Sequence, residues 1–271
     1  MSSILKRHLA PLSETTWSMI DEQAASVLKG NLSARALVPF RGPLGLTAAA
    51  VNLGSVAAAG KSDFAGVEWG IRQVLPLVEA FAPFALSLED LEQVERGGVT
   101  PDLQPVIAAA LRLAMFEEGA VYNGLPQAGY AGLLGSSPHK PLNLPGTPDG
   151  FIKTIGQAVL TLQKHSVAGP YHLVLGTEAY QTLKLAEMQG RQASKFVGDL
   201  LLGGSIRWSP VFNASGALFS GRGGDSELTV GQDYAIGFAG TEDDTVNLFL
   251  MASFAFRVIE PAAAIALAMK A

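Results

Sequence analysis

The sequence predicts an α+β protein, and three features of the 271-residue chain carry that reading. Helical patterns dominate to about residue 202 and strand patterns after it, without the strict alternation of a doubly wound parallel sheet. One long apolar helix, Thr100–Gly124, sits mid-chain as a spine on which other elements can pack. Charged residues make up only 16% against 48% hydrophobic, well below the roughly 25% charge of an ordinary soluble domain. Surface exposed in a lone chain is therefore expected to be covered by other subunits.

The spine reads as follows. Thr100 can cap the first turn, Pro101 fits the first helical position, and Asp102 favours the positive end of the dipole. Leu103, Val106, Ile107, Ala110, Leu111, Ala114, Met115 and Val121 recur at three- and four-residue steps, and Gly124 stops the helix. Glu117 and Glu118 are the only adjacent charges in its second half; neighbours on a helix point about 100° apart and do not converge on one reacting atom.

Composition removes several classes. Without cysteine there are no disulfides, thiol nucleophiles or cysteine-held metals. A net charge of −5 argues against a nucleic-acid-packaging surface. No apolar run approaches the ~18 residues a membrane span needs, and MSSILKRHLAPLSE lacks the pattern of a signal peptide. The expected compartment is the cytoplasm, with no membrane partner and subunit association as the main interaction.

In chain order, residues 1–12 form an arm, and Ser13 can cap a helix from Glu14 to about Gly30 with Trp17, Ile20, Ala24, Val27 and Leu28 on one face. This helix either packs on its own core or reaches with the arm along a neighbouring subunit. Residues 45–66, rich in Ala, Gly and Ser, read as a two-stranded excursion ordered by other chains, or else as a flexible loop. Ser87 can cap a short helix with Asp90 at the third position, ending at Gly97-Gly98. Thr147-Pro148 opens a helix to Lys164, Tyr171–Leu175 is a buried strand, and Thr177 caps a helix to about Glu187. Residues 188–194, MQGRQAS, form an exposed loop before a short helix at Lys195–Leu202. Strands follow at Ser205–Pro210, Ala217–Ser220, Glu227–Val230, Tyr234–Phe238 and Val246–Val258.

Candidate chemistry is sparse. His8, His139, His165 and His172 show no metal-ligand spacing. Gly221-Arg222-Gly223-Gly224-Asp225 lacks the Lys-Ser/Thr of a phosphate loop and reads as a hairpin turn. Glu242-Asp243-Asp244 lacks calcium-loop spacing and reads as a solvated turn. No nucleophilic triad is recognisable, and no enzyme activity is expected.

Eight collinear segments carry a family resemblance: LKRHLAPLSETTW, WGIRQVLPLVEAFAPF, LEDLEQVERG, MFEEGAVYNG, AGLLG, GPYHLVLG, RGGDSELTVGQDYAIGF and TVNLFLMASFAFRV. Together they resemble the family 1 encapsulins, nanocompartment shell proteins also catalogued as linocin-like bacteriocins. The resemblance implies the tailed-phage major-capsid fold. Its parts would be an N-terminal arm and helix at 1–44, an extended loop at 45–66, a peripheral domain at 67–130 and 221–271 with the spine at 101–123, and an axial domain at 131–220. It implies self-assembly into an icosahedral shell that holds a cargo enzyme, a dye-decolourising peroxidase or a ferritin-like protein, by its C-terminal peptide. The tag would dock in a groove formed by Val27, Leu28, Leu32, Tyr234, Ile236, Phe249 and Met251, residues that could equally be core packing. Gln189, Gly190, Arg191 and Gln192 would line a pore at the axial symmetry axis, Arg191 giving a ring of positive charge. Some relatives carry a flavin on a tryptophan; Glu89 stands at that place and Phe81 replaces an arginine, so no cofactor is expected. The rival reading is a phage or prophage coat protein packaging DNA.

Overall fold

The computed structural model describes residues 4–268 except 62, 65, 99, 100 and 189. Helix α1 (Glu14–Asn31) opens on Ser13, whose side chain accepts from the Thr16 N–H at 3.2 Å. It buries Trp17, Ile20, Ala24 and Leu28. Helix α2 (Leu88–Glu95) starts on Ser87 in the same way, its side chain accepting from the Asp90 N–H at 3.3 Å.

The spine, α3 (Gln104–Tyr122), begins later than the sequence pattern suggests. Pro105 sets the start. A helix opened at Pro101 would place Pro105 past the first turn, where its ring meets a carbonyl and its missing N–H breaks a bond. Asp102 instead turns the chain into the helix by accepting from the Gln104 N–H at 2.9 Å; Thr100 lies outside the described residues. The buried stripe is rotated from the expected one. Ala109, Leu113, Glu117 and Glu118 face inward, whereas Met115 is 47% exposed.

Strands β1 (Phe40–Arg41), β2 (Ala50–Lys61), β3 (Glu68–Pro76) and β4 (Val78–Ser87) precede α2. Only β2 lies within the expected excursion at 45–66. It pairs antiparallel with β3, which follows residue 66, in a two-stranded sheet separate from both main sheets. Val51 and Leu75 are buried in the core at its base. The first main sheet runs β1-β11-β13-β12 with β4 on the other edge of β13, where β11 is Ser226–Val230, β12 Ala235–Glu242 and β13 Thr245–Val258. Alternate side chains of β4 and β13, among them Ala82, Phe84, Leu248 and Leu250, meet α1 and α3 in one core.

The second sheet runs β5-β14-β10-β6-β9, with β5 Leu142–Asn143, β6 Tyr171–Leu175, β9 Ile206–Trp208, β10 Ser215–Ser220 and β14 Ala264–Ala268. Its core includes residues of α4 (Pro148–Lys164), α5 (Thr177–Leu185) and α6 (Ala193–Leu200). Helix α4 keeps its expected bounds, with Thr147 at the N-cap position but without a side-chain hydrogen bond to the first turn. Two boundary expectations need correction: Gly176 rather than Thr177 is the N-cap of α5, and α6 starts at Ala193. Thr177 is occupied elsewhere, its Oγ1 accepting from the Trp208 indole N–H at 3.1 Å.

Gly221–Asp225 is not a hairpin turn, because β10 and β11 lie in different sheets. It is a crossing between them, held by Arg222, which pairs with Asp225 at 2.8 Å and donates to the Ser166 carbonyl at 2.9 Å. Glu242–Thr245 does form the hairpin turn between β12 and β13. Strand β14, unmarked by sequence alternation, returns the chain to the second sheet, so residues 264–268 pair with strands of the 131–220 segment rather than with the first sheet. A further core, including Tyr122, Val174, Phe219, Leu228 and Phe254, joins the two sheets.

Candidate docking cleft and the buried anchor behind it

A cleft of about 300 Å³ lies between α1 and β12, lined by Asp21, Ala24, Ala25, Leu28, Tyr234, Ile236 and Leu250, with Arg7 at its edge. The arm folds back to form that edge. Arg7 grips Asp21 with two hydrogen bonds, at 2.7 and 3.2 Å, and stacks over the Trp17 ring at 3.9 Å. The Phe238 N–H donates to the Leu5 carbonyl at 2.8 Å. Residues 5–9 thus belong to their own chain rather than reaching along a neighbour, and α1 packs on its own spine.

Of the groove residues expected from sequence, Leu28, Tyr234 and Ile236 meet at this cleft. Val27 and Leu32 pack half-buried nearby; Leu32 lines a separate cavity of about 510 Å³ with Lys29, Tyr180, Arg207 and Trp208. Phe249 and Met251 are not brought to the cleft. In the β12–β13 register Ile236 pairs with Leu250, which puts positions 249 and 251 on the opposite face of the sheet. There the Phe249 ring lies over Gly237, where an added Cβ would come within 2.2 Å of it, and meets Phe81 edge-on at 5.7 Å. Met251 is fully buried. Leu250, whose parity matches Ile236, is the wall residue that sequence reading missed.

Behind the cleft, two adjacent glutamates hold three adjacent residues that follow α1. Glu117, fully buried, accepts from Arg35 Nε at 2.7 Å and Nη2 at 2.8 Å, and from the Tyr234 hydroxyl at 3.0 Å. Arg35 also pairs with Asp233 and lies 4.4 Å over the Tyr234 ring. Burial opposes the Arg35 charge, but the hydrogen bond and charge of Glu117 more than offset it, raising the guanidinium above its usual range. Glu118 accepts from the Ala34 N–H at 2.7 Å, from Ser209 Oγ at 2.6 Å and from Ser33 Oγ; the Tyr122 hydroxyl backs Ser33 at 2.8 Å. Burial raises the Glu118 carboxyl above its usual value, and these hydrogen bonds only partly counter it. The two carboxylates act as anchors for the chain leaving α1, and do not converge on a common atom.

The loop at 188–192 is a small hairpin, β7 (Glu187–Met188) against β8 (Arg191–Gln192), with Gly190 in the left-handed region at φ 73°; Gln189 lies outside the described residues. Arg191 is braced by Asp199 at 3.2 Å and by the Phe196 ring at 5.0 Å. Phe81 is 51% exposed and Glu89 sits exposed in the first turn of α2. His172 is a packing residue: its Nδ1 accepts from the Ser205 N–H at 3.1 Å, and burial, then Arg207, lower its pKa. Among the described residues no helix is long and apolar enough to cross a membrane, and no group of three His, Asp or Glu side chains is placed to hold a metal ion.

A family model described as an encapsulating protein for peroxidase matches residues 1–255. A type 1 encapsulin shell protein of Rhodospirillum rubrum is 37% identical over 268 residues, covering 97% of this chain and 95% of that protein. One from Mycobacterium tuberculosis is 33% identical over 263 residues, covering 97% and 98%. Among solved structures, a virus-like particle from Pyrococcus furiosus superposes with a TM-score of 0.66 over 94% of this chain and all of that one, at 18% identity. The capsid of Myoviridae phage XM1 gives 0.61 at 11% identity, covering 89% of this chain and 92% of that one. The fold is the tailed-phage capsid fold, and the chain belongs to the encapsulin shell-protein family described as the encapsulating protein for peroxidase.

Proposed function

We propose that copies of this chain close into an icosahedral shell and hold a cargo enzyme inside it by a C-terminal peptide. One observation carries the assembly step. The β2–β3 arm stands off both sheets and exposes Leu53, Val56, Trp69, Ile71 and Val74, between 41% and 62% each. A two-stranded ribbon is marginal on its own, and its apolar side chains gain burial only against another copy. The chain is a structural element in this reading, with no catalytic role and no cofactor.

Cargo capture is assigned to the α1–β12 cleft. Its apolar floor, Ala24, Leu28, Ile236 and Leu250, suits two or three apolar tag side chains, and Arg7 and Asp21 at the rim offer polar contacts. A peroxidase fits the family description; a ferritin-like protein is the second choice. Single-tag binding is modest, since ordering costs offset much of the burial, and oligomeric cargo engaging several clefts strengthens retention. The hairpin at 188–192 is assigned to a pore at the axial symmetry axis. Electron microscopy of the purified protein tests the assembly reading. Closed hollow shells are expected, and a stable species of one or a few subunits overturns it. Nuclease-sensitive absorbance at 260 nm would mark a DNA-packaging coat instead.

A further inference from the structure

The fold brings together two histidines that sequence spacing keeps apart. His139 lies in the loop after α3 and His165 ends α4, yet their rings sit with centroids 4.6 Å apart at an interplanar angle of 73°. Each ring already has one nitrogen committed. His139 Nε2 lies 2.9 Å from the Ala262 carbonyl oxygen, and His165 Nδ1 lies 2.9 Å from the Thr161 carbonyl oxygen. A carbonyl oxygen only accepts, so both of these nitrogens carry hydrogen. In the neutral rings the lone pairs are then fixed on His139 Nδ1 and His165 Nε2.

Metal-binding imidazoles share this feature: a carbonyl holds one N–H, which sets the tautomer and makes the remaining nitrogen a better donor. The ring separation also fits. Two imidazoles at ~2.0–2.1 Å from one ion, at about 90–110° to each other, place their centroids roughly 4.5–5.1 Å apart. His165 is the C-cap of α4, at the negative end of the helix dipole, where a cation is favoured. Lys140 and Lys164 flank the pair in sequence, but both are exposed and water screens them.

We infer that His139 and His165 form a two-imidazole site for a borderline divalent transition metal such as Cu²⁺, Ni²⁺ or Zn²⁺. No third His, Asp or Glu joins them among the described residues, so water, or a ligand delivered from solution, completes the coordination. Its occupancy would tie three segments together: the 137–140 loop, the end of α4 and the 261–263 turn.

Cu²⁺ is the probe, because imidazole sites bind it most tightly in the divalent series. Chelator-stripped wild-type shells, loaded with one equivalent of Cu²⁺ per chain and desalted, should retain it stoichiometrically and show an electron paramagnetic resonance spectrum split by two nitrogens. His165→Gln alters an exposed side chain and should leave shells intact by electron microscopy, while losing stoichiometric retention and one nitrogen coupling. His139→Gln should give the same loss. Wild-type shells that retain no stoichiometric copper overturn the inference. So does a two-nitrogen spectrum that survives in both variants, which would place the copper elsewhere.

Discussion

Arg35 and Glu117, 82 residues apart in sequence, meet in a two-pronged ion pair at 2.7 and 2.8 Å, with the glutamate fully buried. Removing one partner strands the other charge in the interior, which costs about 3–5 kcal/mol. Glu117→Leu should therefore lower the denaturation midpoint of the shells sharply, and Arg35→Leu should do nearly as much. The double variant should lose less than the sum of the two, because no buried charge is then left unpaired. Asp233, the other partner of Arg35, is 45% exposed and solvated. Denaturant titrations of the three variants check this, and strict additivity would count against the pair as the anchor.

Glu118 makes the opposite kind of prediction. Its folded pKa is raised by burial above the usual 4.5. A raised carboxyl holds its proton longer in the folded state. Its favourable contribution is thus complete below about 4.5 and is lost as pH rises through the folded value. Glu118→Gln keeps the shape without the titration, so the variant should show a flatter dependence of melting temperature on pH above about 4.5. Thermal melts of both proteins between acid and neutral pH test the difference in slope.

For cargo, Ala25 gives a cleaner test than Leu28. Leu28 is 7% exposed, so a charge there would damage the core as well as the cleft. Ala25 lines the cleft from the exposed side of α1. Ala25→Trp should fill the cleft, leave shells intact and abolish co-purification of cargo in a host that expresses both. Unchanged cargo-to-shell ratios would move the docking site elsewhere.

The arm supplies an assembly switch. Ile71 is 57% exposed in the single chain, so Ile71→Asp costs the subunit little fold stability. Buried against another copy, the same carboxylate would be desolvated without a partner. Light scattering should report small species instead of shells at concentrations where the parent protein assembles.

Arg191 is exposed and already paired with Asp199. In the proposed pore each copy would present this ion pair, which weakens the expected positive ring. Arg191→Glu should reverse the local charge and slow anion entry, read as the rate at which an anionic quencher reaches a dye sealed inside the shell.

Local grammar was legible wherever it depended on neighbours in sequence. Ser13 and Ser87 announced their helices, and the alternation in Val246–Val258 announced its strand. Parity errors came where a residue type suited either face: Phe249 and Met251 are as apolar as Leu248 and Leu250, and only the pairing with β12 tells them apart. The anchoring role of Glu117 and Glu118 was not legible in the sequence, because their partners, Arg35 and Ser33, lie more than 80 positions away. Ala264–Ala268 showed no strand pattern because every one of its side chains is apolar, with Ala264, Ile265 and Leu267 buried, leaving no polar alternation to read.

Three separate chain segments cross between the two sheets: the loop after α3, the turn at 221–225 and the stretch at 259–263. They are laced to one another. The Ile259 and Glu260 N–H groups both donate to the Asp225 carbonyl at 2.8 and 3.0 Å, and Ser137 Oγ donates to the Ala264 carbonyl at 2.6 Å. A joint with three braced members resists torsion as well as bending. In the proposed shell the dihedral angle between the sheets would then be set inside each subunit before it meets another, and the curvature of the shell would be inherited from that joint.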